Sequence, residues 1–218
     1  TQAPELPATT LAKHCYQSMF SNCTSLTQAP GLPAMTLAES CYSWMFDGCV
    51  GLIQAPELPA TKLEIGCYQS MFSGCIGLTQ APKLPVTDLY DYCYSYMFKG
   101  CTSLTQAPDL PSTILVTRCY DNMFYGCTSL TKAPELPATI LTTRCYDSMF
   151  YRCTKLNYVK CLATDTSATD CTRNWLSGVA STGTFECDNK KYFTLDSSSG
   201  IPVGWTITEI NPDPPTPP

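Results

Sequence analysis

Charge is scarce in this chain. Only 14% of its 218 residues are Asp, Glu, Lys or Arg, and the net charge is −5. No basic stripe runs along it, which argues against a nucleic-acid partner. Histidine is nearly missing, since His14 is the only one. No apolar run approaches the ~18–20 residues that a membrane helix needs, so no membrane insertion of this segment is expected. A secretory signal is not visible either. The motifs GxSxG, HExxH, the P-loop and GxGxxG are all missing. The expectation is therefore a non-enzyme with no catalytic residue, no metal and no cofactor.

What the chain has instead is repetition. Residues 1–156 divide into six units of 26 residues without insertion or deletion, from TQAPELPATTLAKHCYQSMFSNCTSL (1–26) to TKAPELPATILTTRCYDSMFYRCTKL (131–156). A fixed period of this size is the mark of a solenoid, in which no unit folds alone and each buries its faces against its neighbours. Within residues 27–52, Leu26 and Ala29 should point inward and Thr27 and Gln28 outward, as in a short strand. Pro30 recurs in every unit and cannot donate to a ladder, so the strand should end at or before it. Pro33 keeps the next stretch extended around Leu32. Leu37, Cys41 and Met45 then fall at i, i+4 and i+8, with Phe46 alongside. This spacing predicts a short helix. Gly48, like Gly74, Gly100 and Gly126, supplies its stop.

The string MFSGCIGL (Met71 to Leu78), and MFYGCTSL from Met123 to Leu130, resembles the core of the leucine-rich repeats of BspA-type surface proteins. Those repeats carry an A-F-x-x-C-x-x-L core; here Met replaces the alanine, and the APxLPAT segment lengthens the unit. The resemblance covers 1–156. The segment 157–210 also resembles the closing part of such proteins, through CLATD, NWLSGVASTGTF and GIPVGWTI. The resemblance implies a secreted or surface-anchored bacterial protein with an adhesive or ligand-binding role. It implies no particular site, because the family has no shared binding motif to carry over. The expected fold is an α/β, right-handed leucine-rich-repeat solenoid over 1–156, each coil pairing a short strand with a short helix.

Residues 157–210 should form a small β-rich cap. Leu156 and Val159 continue a last inward-facing strand, and Trp205 to Ile210 alternate as another. The Pro-rich stretch 211–218 reads as a linker or end segment. The first unit carries no cap, so further chain is expected upstream.

Fifteen cysteines are present, twelve of them in two rows at the repeat period, Cys15 and Cys23 with their equivalents. Three readings compete. They are buried free thiols acting as small hydrophobes, in-unit disulfides such as Cys41–Cys49, or metal ligands. The C-x7-C spacing and the single histidine do not suit zinc. Eight helical steps span ~12 Å, too far for a bridge unless the helix breaks. Cys161 and Cys171 form a further possible pair. A Cys–His dyad is disfavoured, because no cysteine is singled out and His14 occupies a variable position.

Repetition also separates scaffold from surface. Leu6, Leu11, Cys15, Tyr16, Met19 and Phe20 recur in every unit and read as structural, with Tyr16 and its equivalents expected to stack along one edge. Two variable or outward groups are candidate ligand-binding residues. One is the polar strand face, represented by Thr79, Gln80, Thr105 and Gln106, whose competing reading is ladder stabilisation. The other is the aromatic group Trp44, Tyr92 and Tyr96 on the helix side, where other units carry Ser, Gly, Arg or Asn; Tyr90, Tyr125 and Tyr151 are further aromatics at variable positions. Exposed aromatics suit protein interfaces and sugar platforms. The expected function is adhesion through protein contact, to host matrix or bacterial surface proteins, by an extracellular monomer. Carbohydrate binding by the aromatics and a passive spacer are the alternatives.

Overall fold

The computed structural model describes residues 2–84, 86–196 and 198–210; the Pro-rich stretch 211–218 lies outside the described residues. The chain winds as stacked coils, one per 26-residue unit, numbered here from coil 1 (1–26) to coil 6 (131–156). Equivalent residues line up in rows. The clearest are two ring stacks running through the interior. Tyr16, Tyr42, Tyr68, Tyr94, Tyr120 and Tyr146 stack with centroids 5.9–6.1 Å apart. Phe20 and its equivalents to Phe150 stack at 5.6–5.8 Å. Offset ring pairs of this kind add roughly 0.5–1.5 kcal/mol each beyond burial. The tyrosine row lies in the core and not along an edge, since from Tyr42 to Tyr146 the rings are buried.

The helix expected over Leu37–Gly48 does not form. Among the described residues there is no α-helix, only a 3-10 turn at Lys190–Tyr192. In its place each coil has a ladder of consecutive turns. Every second amide closes a turn, as Cys41 N–H to Ala38 O (3.2 Å), Met45 N–H to Tyr42 O (3.2 Å) and Cys49 N–H to Phe46 O (3.1 Å). The amides between them donate to the next coil, as Tyr42 N–H to Cys67 O (3.1 Å), Trp44 N–H to Gln69 O (2.8 Å) and Phe46 N–H to Met71 O (2.9 Å). Half the backbone donors that a helix would use internally are thus spent between coils. Every fourth residue takes a left-handed conformation, with φ of 51° at Ser40, 54° at Trp44 and 69° at Gly48. Positive φ at the third residue is what a type II turn requires.

The apolar pattern explains both the expectation and its failure. Cys41 and Tyr42 point in, Trp44 is half-buried, Met45 and Phe46 point in, Asp47 and Gly48 are half-buried, and Cys49 points in. That is a period of four. A helix advances about 100° per residue, so over eight residues a period-four stripe drifts about 80° from a helical one. One short unit hides the difference.

On the strand side, pairing is sparse. Parallel single-residue bridges join Gln2, Gln28, Gln54, Gln80 and Gln106 in succession. The proline two residues after each glutamine limits each contact to one bridge. A true sheet begins only in coil 6. Strands β1 (Lys132–Leu136), β2 (Tyr158–Cys161), β3 (Gly183–Cys187) and β4 (Trp205–Glu209) form one parallel sheet in that order. Contrary to expectation, β1 runs through Pro134, with a register irregularity between Lys132 and Glu135. Its partner β2 contains no proline, and just beyond it Leu162 N–H donates to Leu136 O (3.0 Å).

The sequence repeat stops at Leu156, but the backbone repeat does not. Asp170, Asn174 and Gly178 have φ of 55°, 54° and 77°, in register with Arg144, Ser148 and Arg152 one coil earlier. Residues 157–182 are therefore laid down as a seventh coil. Trp175 stands at the methionine position, yet its ring stacks on Tyr146 at 6.3 Å, where the tyrosine row has run out at Thr172. Phe185 and Phe193 pack against Trp175 at 5.8 and 6.2 Å and close the interior.

All fifteen cysteines are free thiols, with only Cys15 and Cys23 exposed. Neither Cys41–Cys49 nor Cys161–Cys171 is bridged. From coil 2 on, the second cysteine of each unit donates to a phenylalanine carbonyl of the preceding coil at 3.0–3.1 Å: Cys49 to Phe20, Cys75 to Phe46, Cys101 to Phe72, Cys127 to Phe98 and Cys153 to Phe124.

Candidate functional site

Two surfaces remain once the rows of the core are subtracted. The first is the strand side. Thr79, Gln80, Thr105 and Gln106 are all exposed, and the glutamines mark the bridge positions, so their side chains stand in a row over the backbone ladder. Shallow grooves run beside this row. One of about 470 Å³ is lined by Thr27, Gln28, Gln54 and Glu57. A larger one of about 940 Å³ spans Thr105, Gln106, Lys132, Tyr158, Lys160 and Glu186. There the polar groups hold one another. Lys132 lies over the Tyr158 ring at 4.5 Å, the Tyr158 hydroxyl donates to Glu186 at 2.7 Å, and Lys160 pairs with Glu135 at 3.0 Å. Partial desolvation, with Glu186 beside it, pushes the Tyr158 hydroxyl up to about 12. This group is a donor at any physiological pH and not a titrating one.

The second surface is the outer edge of the turn ladder. Trp44, Tyr92 and Tyr96 all sit there, half-buried, and all three occupy left-handed positions (φ 54°, 61° and 59°). Tyr92 and Tyr96 share a coil. Trp44 and Tyr96 hold the same place two coils apart, with Ser70 between them and only 5% exposed. Tyr90 is exposed on the approach to the ladder. No residue of this edge lines the strand-side grooves, so the two candidate groups form two separate surfaces.

The sequence pattern alone missed a charged network on the ladder of coils 5 to 7. Arg118-Cys-Tyr-Asp121 and Arg144-Cys-Tyr-Asp147 repeat, whereas coil 7 reads Asp170-Cys-Thr-Arg173, with the signs exchanged. Arg144 thereby meets Asp170 at 2.9 Å and Arg173 meets Asp147 at 2.5 Å. Asp121 lacks such a cross-coil arginine on its other side, where Ser95 is buried with an unpartnered hydroxyl. Arg118 reaches it only at 3.6 Å. Burial pushes the Asp121 carboxyl up to about 6, with the hydrogen bond from Asn122 acting against the shift.

Burial holds the interior thiols in the neutral form at neutral pH. Burial pushes Cys41 and Cys49 up to about 11, and Cys67, Cys145, Cys153 and Cys161 up to about 12. Among the described residues no cluster of His, Cys, Asp and Glu is arranged to hold a metal ion.

Stacked coils, an invariant apolar interior and a carbonyl-linked cysteine row are the architecture of a repeat family. The model of the BspA-type leucine-rich repeat region matches residues 5–106 and 80–171, in six copies. The chain belongs to the BspA-type leucine-rich repeat family. The match passes Leu156 and reaches Cys171, in agreement with the seventh coil. No curated protein and no solved structure matches the chain. As a BspA-type array it is a protein-interaction repeat module, and its solenoid is made of strand bridges and turns with almost no helix. No helix among the described residues is long and apolar enough to cross a membrane.

Proposed function

We propose that this chain is a non-catalytic adhesion module of a secreted or surface-anchored protein, binding a protein ligand along its strand side. One observation carries the reading. Thr79, Gln80, Thr105 and Gln106 belong to an exposed row of Thr and Gln that rests on a ladder fixed by a single continuous core. Such a row is rigid, polar and long, which suits contact with an extended segment or flat protein face at little ordering cost. Free cysteines are uncommon outside the cell. Here thirteen are buried, which keeps them from acting as thiolates and makes an extracellular location compatible with the thiol content.

The test is a binding screen of the chain against matrix proteins and bacterial surface proteins, with the double variant Gln80→Arg/Gln106→Arg beside it. The parent should capture at least one protein, and the variant should bind about tenfold more weakly at unchanged melting temperature. A parent that binds no protein would leave the glycan and spacer readings. The glycan reading rests on Trp44 and Tyr96, two large rings flanking the small Ser70. A glycan array on which Trp44→Ser loses a signal given by the parent would favour it.

A further inference from the structure

The left-handed positions of the turn ladder are where the scaffold asks for glycine or asparagine. A residue with a Cβ costs roughly 1–2 kcal/mol there, and a bulky one is unusual. The third such position in each coil follows this rule: Asn22, Gly48, Gly74, Gly100, Gly126 and Gly178 occupy it. Arg152 is the exception. At the second position Ser18, Ser70, Asn122, Ser148 and Asn174 are small, while Trp44 and Tyr96 are not. Large side chains are therefore held on this edge against the local preference of the backbone.

In coils 4 to 6 two of them, Tyr96 and Arg152, join Lys99, Tyr125 and Tyr151 in one strip. The Lys99 ammonium lies 5.3 Å from the ring centres of both Tyr96 and Tyr125. Tyr125 stacks on Tyr151 at 5.0 Å. The Arg152 guanidinium lies 5.3 Å from the Tyr151 ring. The contacts run unbroken from Tyr96 to Arg152. Among the described residues no carboxylate pairs with Lys99 or Arg152. The acidic side chains of the neighbouring ladder positions, Asp121 and Asp147, are buried. In coil 2 the place of Lys99 is taken by Asp47, so the positive character is local to this end of the array.

We infer that the strip Tyr96–Lys99–Tyr125–Tyr151–Arg152 is a second interaction surface, on the turn side, and that it takes an acidic segment of a partner protein. The argument is charge complementarity on an aromatic bed. Two unpaired cations sit on an otherwise acidic chain, each held against a ring face that fixes its direction. Tyrosine and arginine are the side chains that anchor protein interfaces. The inference builds on the protein-binding reading of this chain but uses a different face, so each can fail without the other.

A fluorescently labelled Glu-rich peptide containing Leu and Phe, titrated into the intact chain and followed by anisotropy, tests it. The parent should bind, and binding should weaken as salt is raised. Lys99→Glu/Arg152→Glu should bind at least about tenfold more weakly. Tyr96→Asn should also lose affinity while melting at or above the parent temperature, because asparagine suits the left-handed backbone. Gln80→Arg/Gln106→Arg should bind the peptide like the parent. Absence of peptide binding, or equal binding by the charge-reversed variant, overturns the inference. So does retention by the parent of a sulfated polysaccharide but not the peptide, which would make the strip a glycan surface.

Discussion

The Cys75 thiol donates to the Phe46 carbonyl oxygen at 3.1 Å, and that oxygen also accepts the Cys49 amide at 3.1 Å. A buried carbonyl has two lone pairs, and here the turn uses one and the next coil's thiol the other. The same arrangement recurs from Cys49 to Cys153. It explains why cysteine occupies this row where alanine or valine would suit burial alone: they lack the donor.

Replacing a central member, Cys101→Ala, should therefore destabilise the chain by about 1–2 kcal/mol, through the lost apolar contact and the half-satisfied carbonyl. At the exposed Cys23 the same change should fall within about 0.5 kcal/mol. Chemical denaturation curves give both values. If Cys101→Ala proved as mild as Cys23→Ala, the thiol row would be incidental.

Thiol reactivity should split sharply. In the folded chain a thiol reagent should label Cys15 and Cys23 quickly and leave the other thirteen untouched. All fifteen should react in denaturant. Burial raises the pKa of the interior thiols, which withholds both access and thiolate. Mass spectrometry of the labelled chain counts the adducts, and rapid labelling of many more sites would mean the interior is open.

Asp121 should give the stability a pH dependence of defined sign. Its carboxyl stands near 3.8 when exposed and is raised to about 6 in the fold. The folded chain then holds a proton that the unfolded chain has released. This contribution is complete below pH ~4, declines as pH rises through ~6, and is gone above that. Asp121→Asn should be more stable than the parent at pH 7 by up to about 3 kcal/mol, with the gap closing as pH falls towards 4. A gap that stays constant with pH would place the ionised carboxylate in a better environment than its burial indicates.

Ser40→Gly should stabilise the array by up to about 1 kcal/mol. Ser40 has a φ of 51°, and Gly66 occupies the same place in the next coil. Relief of the left-handed strain exceeds the extra freedom that glycine gives the unfolded chain. Thermal melting measures the sign.

Trp175→Ala should cost about 3–5 kcal/mol, the range for a large buried ring. Trp175 is fully buried, ends the tyrosine stack and donates its indole N–H to Gly200 O at 3.0 Å. In a linear array the loss should appear as fraying from the C-terminal end. Amide exchange in coils 6 and 7 should accelerate well before that in coil 3.

Much of the fold follows from repetition alone. Six equal units require stacked coils, so the inward placement of Leu26, Cys41 and Phe46 and the outward placement of Thr79 and Gln106 could be read without coordinates. The local path of the chain could not. Over so few residues the spacing of Leu37, Cys41 and Met45 suits either a helix or a turn ladder. The choice fell to hydrogen bonds such as Tyr42 N–H to Cys67 O, whose acceptor lies in the next coil and has no meaning within one unit. The seventh coil was hidden for a related reason. Its side chains diverge, while the backbone at Asp170, Asn174 and Gly178 keeps the period.

Among the surface candidates, variability marked Trp44, Tyr92 and Tyr96 as positions at which the units differ. It did not show that they are left-handed, nor that Tyr96 joins Lys99, Tyr125, Tyr151 and Arg152 in one strip. Those facts depend on which side chains the coil rise brings together. The sequence by itself determined the period, the interior rows and the family, because identical residues at equal intervals can be buried only by stacking. Tertiary structure alone decided the turn ladder, the free thiols, the exchanged charges of coil 7 and the two faces, because each arises from contacts between neighbouring coils.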